Sequence, residues 1–463
     1  MTMSIRQIDP QCKMTSYLSL PQFETIIAPH VVQDVLTRSD AWERREKKIS
    51  MQSMVYLNIA LSLYPTKSTR EVWRTMMEGL SEDGIVHEKD VPTAGALCQR
   101  RKQLGVTPMR MLFDRCAHPI AHAATATAFR FGMRLVAVDG ILENVPDTDA
   151  NRTVYPYHCQ DERYRSPFPQ MRCLALMECG THVIFDVEMS NVKHAELTTV
   201  HPLLERALTP EMLLLCDAGI TCYPVLFRAR RKGAHVLGRL SSGSWKKPLA
   251  RLHDGSYLVK MSPHGKSKQK NTVMARVIEY RLKDPQTGEP SQVVRLVTTL
   301  LDPLKYPREA LIELYHERWE IELAFDEIKT HLCLSQRTLR SKSPQGVEQE
   351  FYGLLLAHFA TRSLMYLAAL QADWDPDEVS FVHTVNVIQR AQFRLMQASC
   401  WQLPRLRQAL LQEIVQERVP KRRLRFHARV LKRTFPKFKH KRYEHLHVQR
   451  FKGSFRDLII FLN

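Results

Sequence analysis

Three carboxylates sit where their surroundings could make them chemical. Asp139 follows a short apolar run, Met133 to Val138, and precedes Gly140. Asp217 closes a second apolar run, Glu211 to Cys216, and opens the turn-forming Asp217-Ala-Gly219. Glu322 lies inside Tyr315-His-Glu-Arg-Trp-Glu-Ile-Glu-Leu-Ala-Phe-Asp-Glu-Ile-Lys329. Two strand-end carboxylates and a helical one can hold two divalent cations about 4 Å apart. One ion would activate the attacking oxygen, and the other would stabilise the leaving oxygen of an in-line phosphoryl displacement. All-oxygen donors that leave room for water favour Mg2+, with Mn2+ as the usual substitute. A blander account stands beside this one. A strand-end aspartate also forms turns and caps helices, and Glu322 also suits an i,i+4 pair with Arg318 on a solvated face.

The stretch from Tyr315 to Lys329 has no Gly or Pro and is rich in helix formers. At about 100° per residue, Tyr315, Arg318, Glu322 and Lys329 fall within roughly a 60° arc. Leu314, Ile321, Phe325, Ile328 and Leu332 make an adjoining apolar stripe that would seat the helix in a core. A phenol, a guanidinium, a carboxylate and an ammonium would then line its neighbouring face. Cations flanking a carboxylate can serve a phosphate backbone and a metal ion together.

The elements that must position these groups follow from periodicity. Residues 1–125 read as helical, with runs at Phe23 to Leu36, Trp42 to Leu63 and Thr69 to Gly79. Within them, Arg100, Arg101 and Lys102 lie on a short basic helix, either a DNA-contacting element or a solvated basic face. From Met133 the period changes to that of strands. Met171 to Glu178 and Thr181 to Glu188 form a hairpin about Cys179-Gly180. Helix, strand, helix and strand follow to Leu240, the order of a mixed α/β sheet. Residues 243–302 carry turn signals between β-like runs and read as a β-rich insertion. Trp245 in it either packs in a core or stacks on a base. The resulting division is 1–125, 126–242, 243–302, 303–400 and 401–463.

The chain has 463 residues, 67 Lys plus Arg against 48 Asp plus Glu, and a net charge of +19, an excess that favours a polyanionic partner. The last region concentrates it: residues 421–452 hold thirteen Lys or Arg and one acidic residue, with Phe and Tyr interleaved. Ten cysteines without a CxxC pair or zinc-finger spacing read as reduced thiols of a cytoplasmic protein. His358 and Arg362 interrupt the most apolar later stretch, Gly353 to Leu370, which makes it a buried helix rather than a membrane span. No Walker loop or dinucleotide Gly fingerprint is present, so nucleotide hydrolysis and hydride transfer find no support.

The spacing Tyr315-x-x-Arg318-x-x-x-Glu322-x-x-x-x-x-x-Lys329 resembles the signature of the insertion-sequence-four (IS-four) transposases, a branch of the DDE transposases. Val138 to Asp147 resembles that family's first-aspartate block, and Leu213 to Gly219 its second. Phe168 to His182 resembles its hairpin, and Ala94 to Leu112 part of its N-terminal helical domain. The second block departs from the usual pattern, running Asp217-Ala-Gly-Ile-Thr where a basic and an aromatic residue often follow. The resemblance implies an RNase H-like mixed-sheet catalytic core, with Asp139, Asp217 and Glu322 as the metal-binding triad. Tyr315, Arg318 and Lys329 would contact DNA phosphates, and Trp319 would support a distorted end nucleotide. The implied enzyme binds the terminal inverted repeats of an insertion sequence, excises it through a hairpin intermediate and joins its 3′-OH ends to target DNA. It would do so as a homodimer in the synaptic complex, in the cytoplasm and associated with the nucleoid. A nuclease of the same fold without strand transfer, or an inactive DNA-binding derivative, is the alternative.

Overall fold

The computed structural model describes residues 18–43, 47–78, 88–159, 165–241, 247–263, 271–284, 288–333, 338–419 and 453–462, with the strand backbone at 425–426, 430–431, 439–440 and 449–450. Trp245 lies outside the described residues.

The N-terminal part is helical, with later starts than periodicity alone suggests. Helix α1 (Pro29–Arg38) begins at a proline, whose missing N–H costs nothing in the first turn, and the apolar residues before it form turns. Helix α2 (Met51–Leu63) starts only after Ser50, whose side chain accepts from Ser53 N–H as an N-cap. Ser68 caps α3 (Thr69–Met77) and Thr93 caps α4 (Ala94–Leu104) in the same way, and α5 (Thr107–Cys116) completes the set. Every residue of α2 is buried, so it is a core helix with no solvent face.

Next come β1 (Phe129–Arg130), β2 (Met133–Asn144), α6 (Asp149–Val154), β3 (Tyr157–Cys159), β4 (Arg165–Glu178), β5 (Ile184–Asn191), α7 (Glu196–Ala207), β6 (Met212–Cys216), α8 (Tyr223–Arg231) and β7 (His235–Arg239). Strands β5, β4 and β2 are antiparallel neighbours, and β2, β6 and β7 run parallel. The order β5-β4-β2-β6-β7 is that of an RNase H-like mixed sheet. Helices α7 and α8 pack on each other and against this sheet.

The β-rich insertion does not stand apart from the sheet. It supplies β8 (Ala250–Arg251), β9 (Tyr257–Met261), β10 (Val273–Leu282) and β11 (Val294–Thr298). β11 lies antiparallel to β7, with Thr298 opposite Leu237, and β10, β9 and β8 extend the sheet in turn. Pairing hides the edge that β7 would otherwise expose.

Beyond β11 the chain runs through α9 (Arg308–His316), a 3-10 turn (Glu317–Trp319), α10 (Glu320–Asp326) and a π-helical turn (Glu327–Leu332). The stripe of Leu314, Ile321, Phe325, Ile328 and Leu332 is buried throughout. Helix α11 (Pro344–Ala372) follows, then α12 (Phe381–Gln397) and α13 (Leu403–Ile414). α11 is long and apolar enough to span a membrane, but 89% of its most apolar window is buried inside the protein. It touches α2, α5, α12 and α13 and is the spine between the N-terminal helices and the sheet. The approach to α2 is close enough that a Cβ on Gly353 would stand 2.6 Å from the Asn58 carbonyl oxygen.

The chain ends in four two-residue strands, β12 (Arg425–Phe426), β13 (Val430–Leu431), β14 (Lys439–His440) and β15 (Gln449–Arg450), and then β16 (Ile459–Phe461). β16 pairs antiparallel with β10.

Candidate active site

The register of β2 and β6 sets two aspartates side by side. These strands run parallel with Val138 opposite Cys216, so Asp139 and Asp217 leave that pairing at the same level. Asp217 stands at the carboxyl end of β6, where open α/β sheets place their sites. Asp139 does not end its strand. β2 continues to Asn144 against β4, with Asp139 opposite Ala175, so it sits at the point where β6 departs. The antiparallel partner keeps β2 extended after the parallel one has turned away.

Local hydrogen bonds orient both groups. Asp217 Oδ1 accepts from Gly219 N–H at 3.0 Å and Ile220 N–H at 2.9 Å, an Asx-type turn. Thr221 Oγ1 donates to the Asp217 carbonyl at 2.5 Å. Thr221 fits because β7 has a glycine beside it: a Cβ on Gly238 would stand 2.2 Å from Thr221 Oγ1. Asp139 Oδ1 accepts from Gly140 N–H at 2.7 Å.

Arg318 joins the strand to the helix. Its two terminal nitrogens reach Asp139 Oδ2 at 3.2 Å and Glu322 Oε1 at 3.0 Å. The i,i+4 pair read from the sequence is therefore real, and the same guanidinium also crosses to the sheet. Its Nε is buried without a hydrogen-bond partner among the described residues. Burial pushes the Asp139 carboxyl up to about 6; Arg318 and the Gly140 N–H pull it down, and the charges of Asp217 and Glu322 add to the rise. Asp139 feels the charge of both other carboxylates, and oxygen donors alone suit a hard divalent cation.

The remaining residues of the signature spread along the helical path. Tyr315 is half-buried against the core, and burial raises its hydroxyl pKa while Arg318 opposes the rise. Trp319 is 44% exposed. Lys329 is half-buried in the π turn, and its charge is felt by Glu143. Sequence reading passed over Glu143. It stands on β2 four residues beyond Asp139, on the same face by strand alternation, and the sequence Asp139-x-Ile141-x-Glu143 was the available signal. It is buried, its Oε1 lacks a partner among the described residues, and burial lifts its pKa to about 7 against the pull of Lys329.

The basic trio of α4 is not brought to these carboxylates, and two of its members are spent internally. Arg100 is buried, donating to the Ile49 carbonyl at 2.7 Å and pairing with Glu43 at 2.5 Å. Arg101 donates to Asn58 at 2.9 Å and to Ser341 at 3.2 Å, bracing α2 against the segment before α11. A buried guanidinium needs such partners, and forming them turns it away from solvent. Lys102 is exposed.

A mixed sheet thus aligns two aspartates, and Arg318 links one of them to a glutamate on the helical path after the insertion. The sequence matches the family models "Insertion element 4 transposase N-terminal" over residues 18–114 and "Transposase DDE domain" over residues 130–360. It is 27% identical over 415 residues to "Transposase InsG for insertion sequence element IS4" of Escherichia coli (strain K12), covering 87% of this chain and 90% of that protein. The solved "Cryo-EM structure of piggyBac transposase synaptic complex with hairpin DNA" aligns at TM-score 0.45 and 10% identity, over 88% of this chain and 87% of that one. That alignment is too loose to carry residue roles. The chain belongs to the IS4 family of DDE transposases. Its class is a DNA-acting enzyme that depends on divalent metal.

Proposed function

We propose that this transposase binds the terminal inverted repeats of its insertion sequence, cuts the element free and joins its 3′-OH ends to target DNA, with a hairpin intermediate on the way. The observation that carries this reading is Arg318 linking Asp139 to Glu322, with Asp217 leaving β6 at the level of Asp139. Asp139, Asp217 and Glu322 would hold two Mg2+ ions, which Mn2+ can replace. Bound there, the ions would supply the positive charge that stabilises phosphoryl transfer.

The protein's own groups do the rest. The Asx turn at Asp217 and the Gly140 N–H hold two carboxylates in fixed orientations before substrate arrives. Arg318 keeps Glu322 and Asp139 within reach of each other and brings positive charge to the place where a phosphate would sit. Tyr315 and Lys329 contact phosphates on either side, and exposed Trp319 lies against the end nucleotide. Residues 1–125, with Lys102 as an exposed cation, and the basic region 401–463 hold flanking DNA, while 126–242 and 303–400 form the catalytic core around the insertion 243–302. The enzyme works as a homodimer when two ends are synapsed, in the cytoplasm with the nucleoid.

The test is a gel assay with matched inverted-repeat ends, Mg2+ and a target duplex. Cleaved, hairpin and joined products are expected from the wild type. Cleavage without joined products would instead mark a nuclease of the same fold.

A further inference from the structure

A second group of metal-ligating side chains lies on the other side of the glutamate helix. The β4–β5 hairpin turns through His182, which holds a left-handed φ of 58°. His182 is 3% exposed, and two carboxylates face its Nε2: Asp377 Oδ1 at 3.0 Å and Glu320 Oε2 at 3.6 Å. One donor atom from each of these residues lies within 4.8 Å of the others. Three separate elements supply them: the hairpin turn, the first residue of α10, and the 3-10 turn Pro376–Glu378 after α11.

Hydrogen bonding leaves this group unfinished. His182 Nε2, Asp377 Oδ1 and Glu320 Oε1 are all buried without an aligned partner among the described residues. Nε2 and Oδ1 are 3.0 Å apart and still off the line an N–H would need. Tetrahedral ligands ~2.0–2.1 Å from one ion stand ~3.3 Å from each other, so this separation suits two donors that share a cation. Charge points the same way. Glu320, Glu327 and Asp377 converge here, Glu317 adds its field, and the opposing cation in contact with the ring is Arg362. The ring's Nδ1 lies against Arg362 and 3.7 Å from Glu327 Oε1. Arg362 donates to Nδ1, so an ion at Nε2 must displace the proton that Nε2 then carries. The Asp377 side chain is 33% exposed, which leaves an ion a way in.

We propose that His182, Glu320 and Asp377 form a divalent-cation site of the zinc type, separate from Asp139, Asp217 and Glu322. One imidazole and two carboxylates are a donor set for zinc-class ions. Residues two apart on a helix point about 200° apart, so Glu320 and Glu322 serve different sites. An ion here fastens the start of α10 to the hairpin turn and to the segment after α11. The rival occupant is a proton, since burial holds the Glu320 carboxyl well above the usual range.

The test uses the tag-free full chain carrying Asp139→Asn, Asp217→Asn and Glu322→Gln, so that those three carboxylates cannot contribute. After loading with Zn2+ and dialysis, mass spectrometry of the metal content should find about one ion per chain. Zn2+ should raise Tm and a chelator should lower it. Adding Asp377→Asn, at the partly exposed ligand, should weaken Zn2+ binding by ~10-fold or more and flatten the Tm response. His182→Gln should do the same, with circular dichroism checking that each variant is folded. A chain that retains no Zn2+, or whose Zn2+ binding survives both substitutions in folded protein, overturns the proposal and leaves the proton as occupant.

Discussion

Glu320 and Glu322 are the same residue type two positions apart, and the fold treats them oppositely. Glu320 is 5% exposed, with the Gly180 N–H donating to it beside His182. The Glu322 side chain is 39% exposed and reaches solvent beside Arg318. Around Glu320 lies a buried network in which Arg362 Nε donates to Glu327 Oε2 at 2.9 Å and His358 Nε2 meets the same oxygen at 3.0 Å. Burial alone would raise the Glu327 carboxyl, but Arg362 and the two histidines hold it well below the usual range. One side of the helix thus spends its charge on holding the helix in place. The other keeps its charge available to ligands. A glutamate's role here is set by which side of the Ile321, Phe325 and Ile328 stripe it falls on.

That contrast can be broken at its strongest point first. If Glu322 holds a metal ion as proposed, Glu322→Gln should lower DNA cleavage by on the order of 10³-fold or more, because the lost charge weakens the hold on that ion. Its Tm should stay close to that of the wild type; a large fall in Tm would erase the distinction between the two sides. Glu327→Gln is the converse. It leaves the Arg362 guanidinium buried against a neutral amide and should cost about 3–5 kcal/mol in denaturant unfolding.

Glu143 tests whether burial on the sheet side behaves like burial on the helix side. Its pKa in the folded chain is lifted to about 7, above its unfolded value. A raised carboxyl contributes stability below the unfolded pKa and loses it as pH rises through the folded one. Glu143→Gln should therefore stabilise the protein by about 3 kcal/mol at pH 8 and by almost nothing at pH 4. Equal effects at both pH values would remove the electrostatic cause. The smallest effect belongs to α4. Lys102→Ala should reduce the salt slope of DNA binding by about 1 and leave Tm unchanged. Arg100→Ala, at a buried brace, should instead lower Tm.

Much of the sheet was legible because its strands are apolar runs between turn signals. The run Glu211 to Cys216 became Met212–Cys216, and the hairpin about Cys179-Gly180 formed with Gly180 at φ 81°. The second half of β2 was not legible, since Asp139 and Glu143 put charge into a strand whose burial comes from tertiary neighbours. Joining of the insertion strands to β7 was also hidden, because pairing partners far apart in sequence leave no local pattern. The 3-10 and π turns around α10 lie outside what a single helical period can report. The buried network draws on positions 182, 320, 327, 358, 362 and 377. Its one visible sign was the pair His358 and Arg362, one turn apart in the most apolar later stretch of the chain. A charge that interrupts such a run needs a partner, and here the partner is Glu327.

The pairing of β16 with β10 has a consequence for the basic region. Before that region, Arg418 is bridged to Val379. After it, Phe455 stacks on His316 at 4.9 Å, Arg456 pairs with Glu313, and Arg308 lies 4.0 Å over the Phe461 ring. The thirteen Lys and Arg between 421 and 452 are thus a polycation tied at both ends, with one knot on the helix that leads into Arg318 and Glu322. Tethering turns later phosphate contacts into intramolecular events, at effective concentrations on the order of millimolar. If this region holds DNA as proposed, a duplex caught at one anchor would meet the rest of that charge without searching for it.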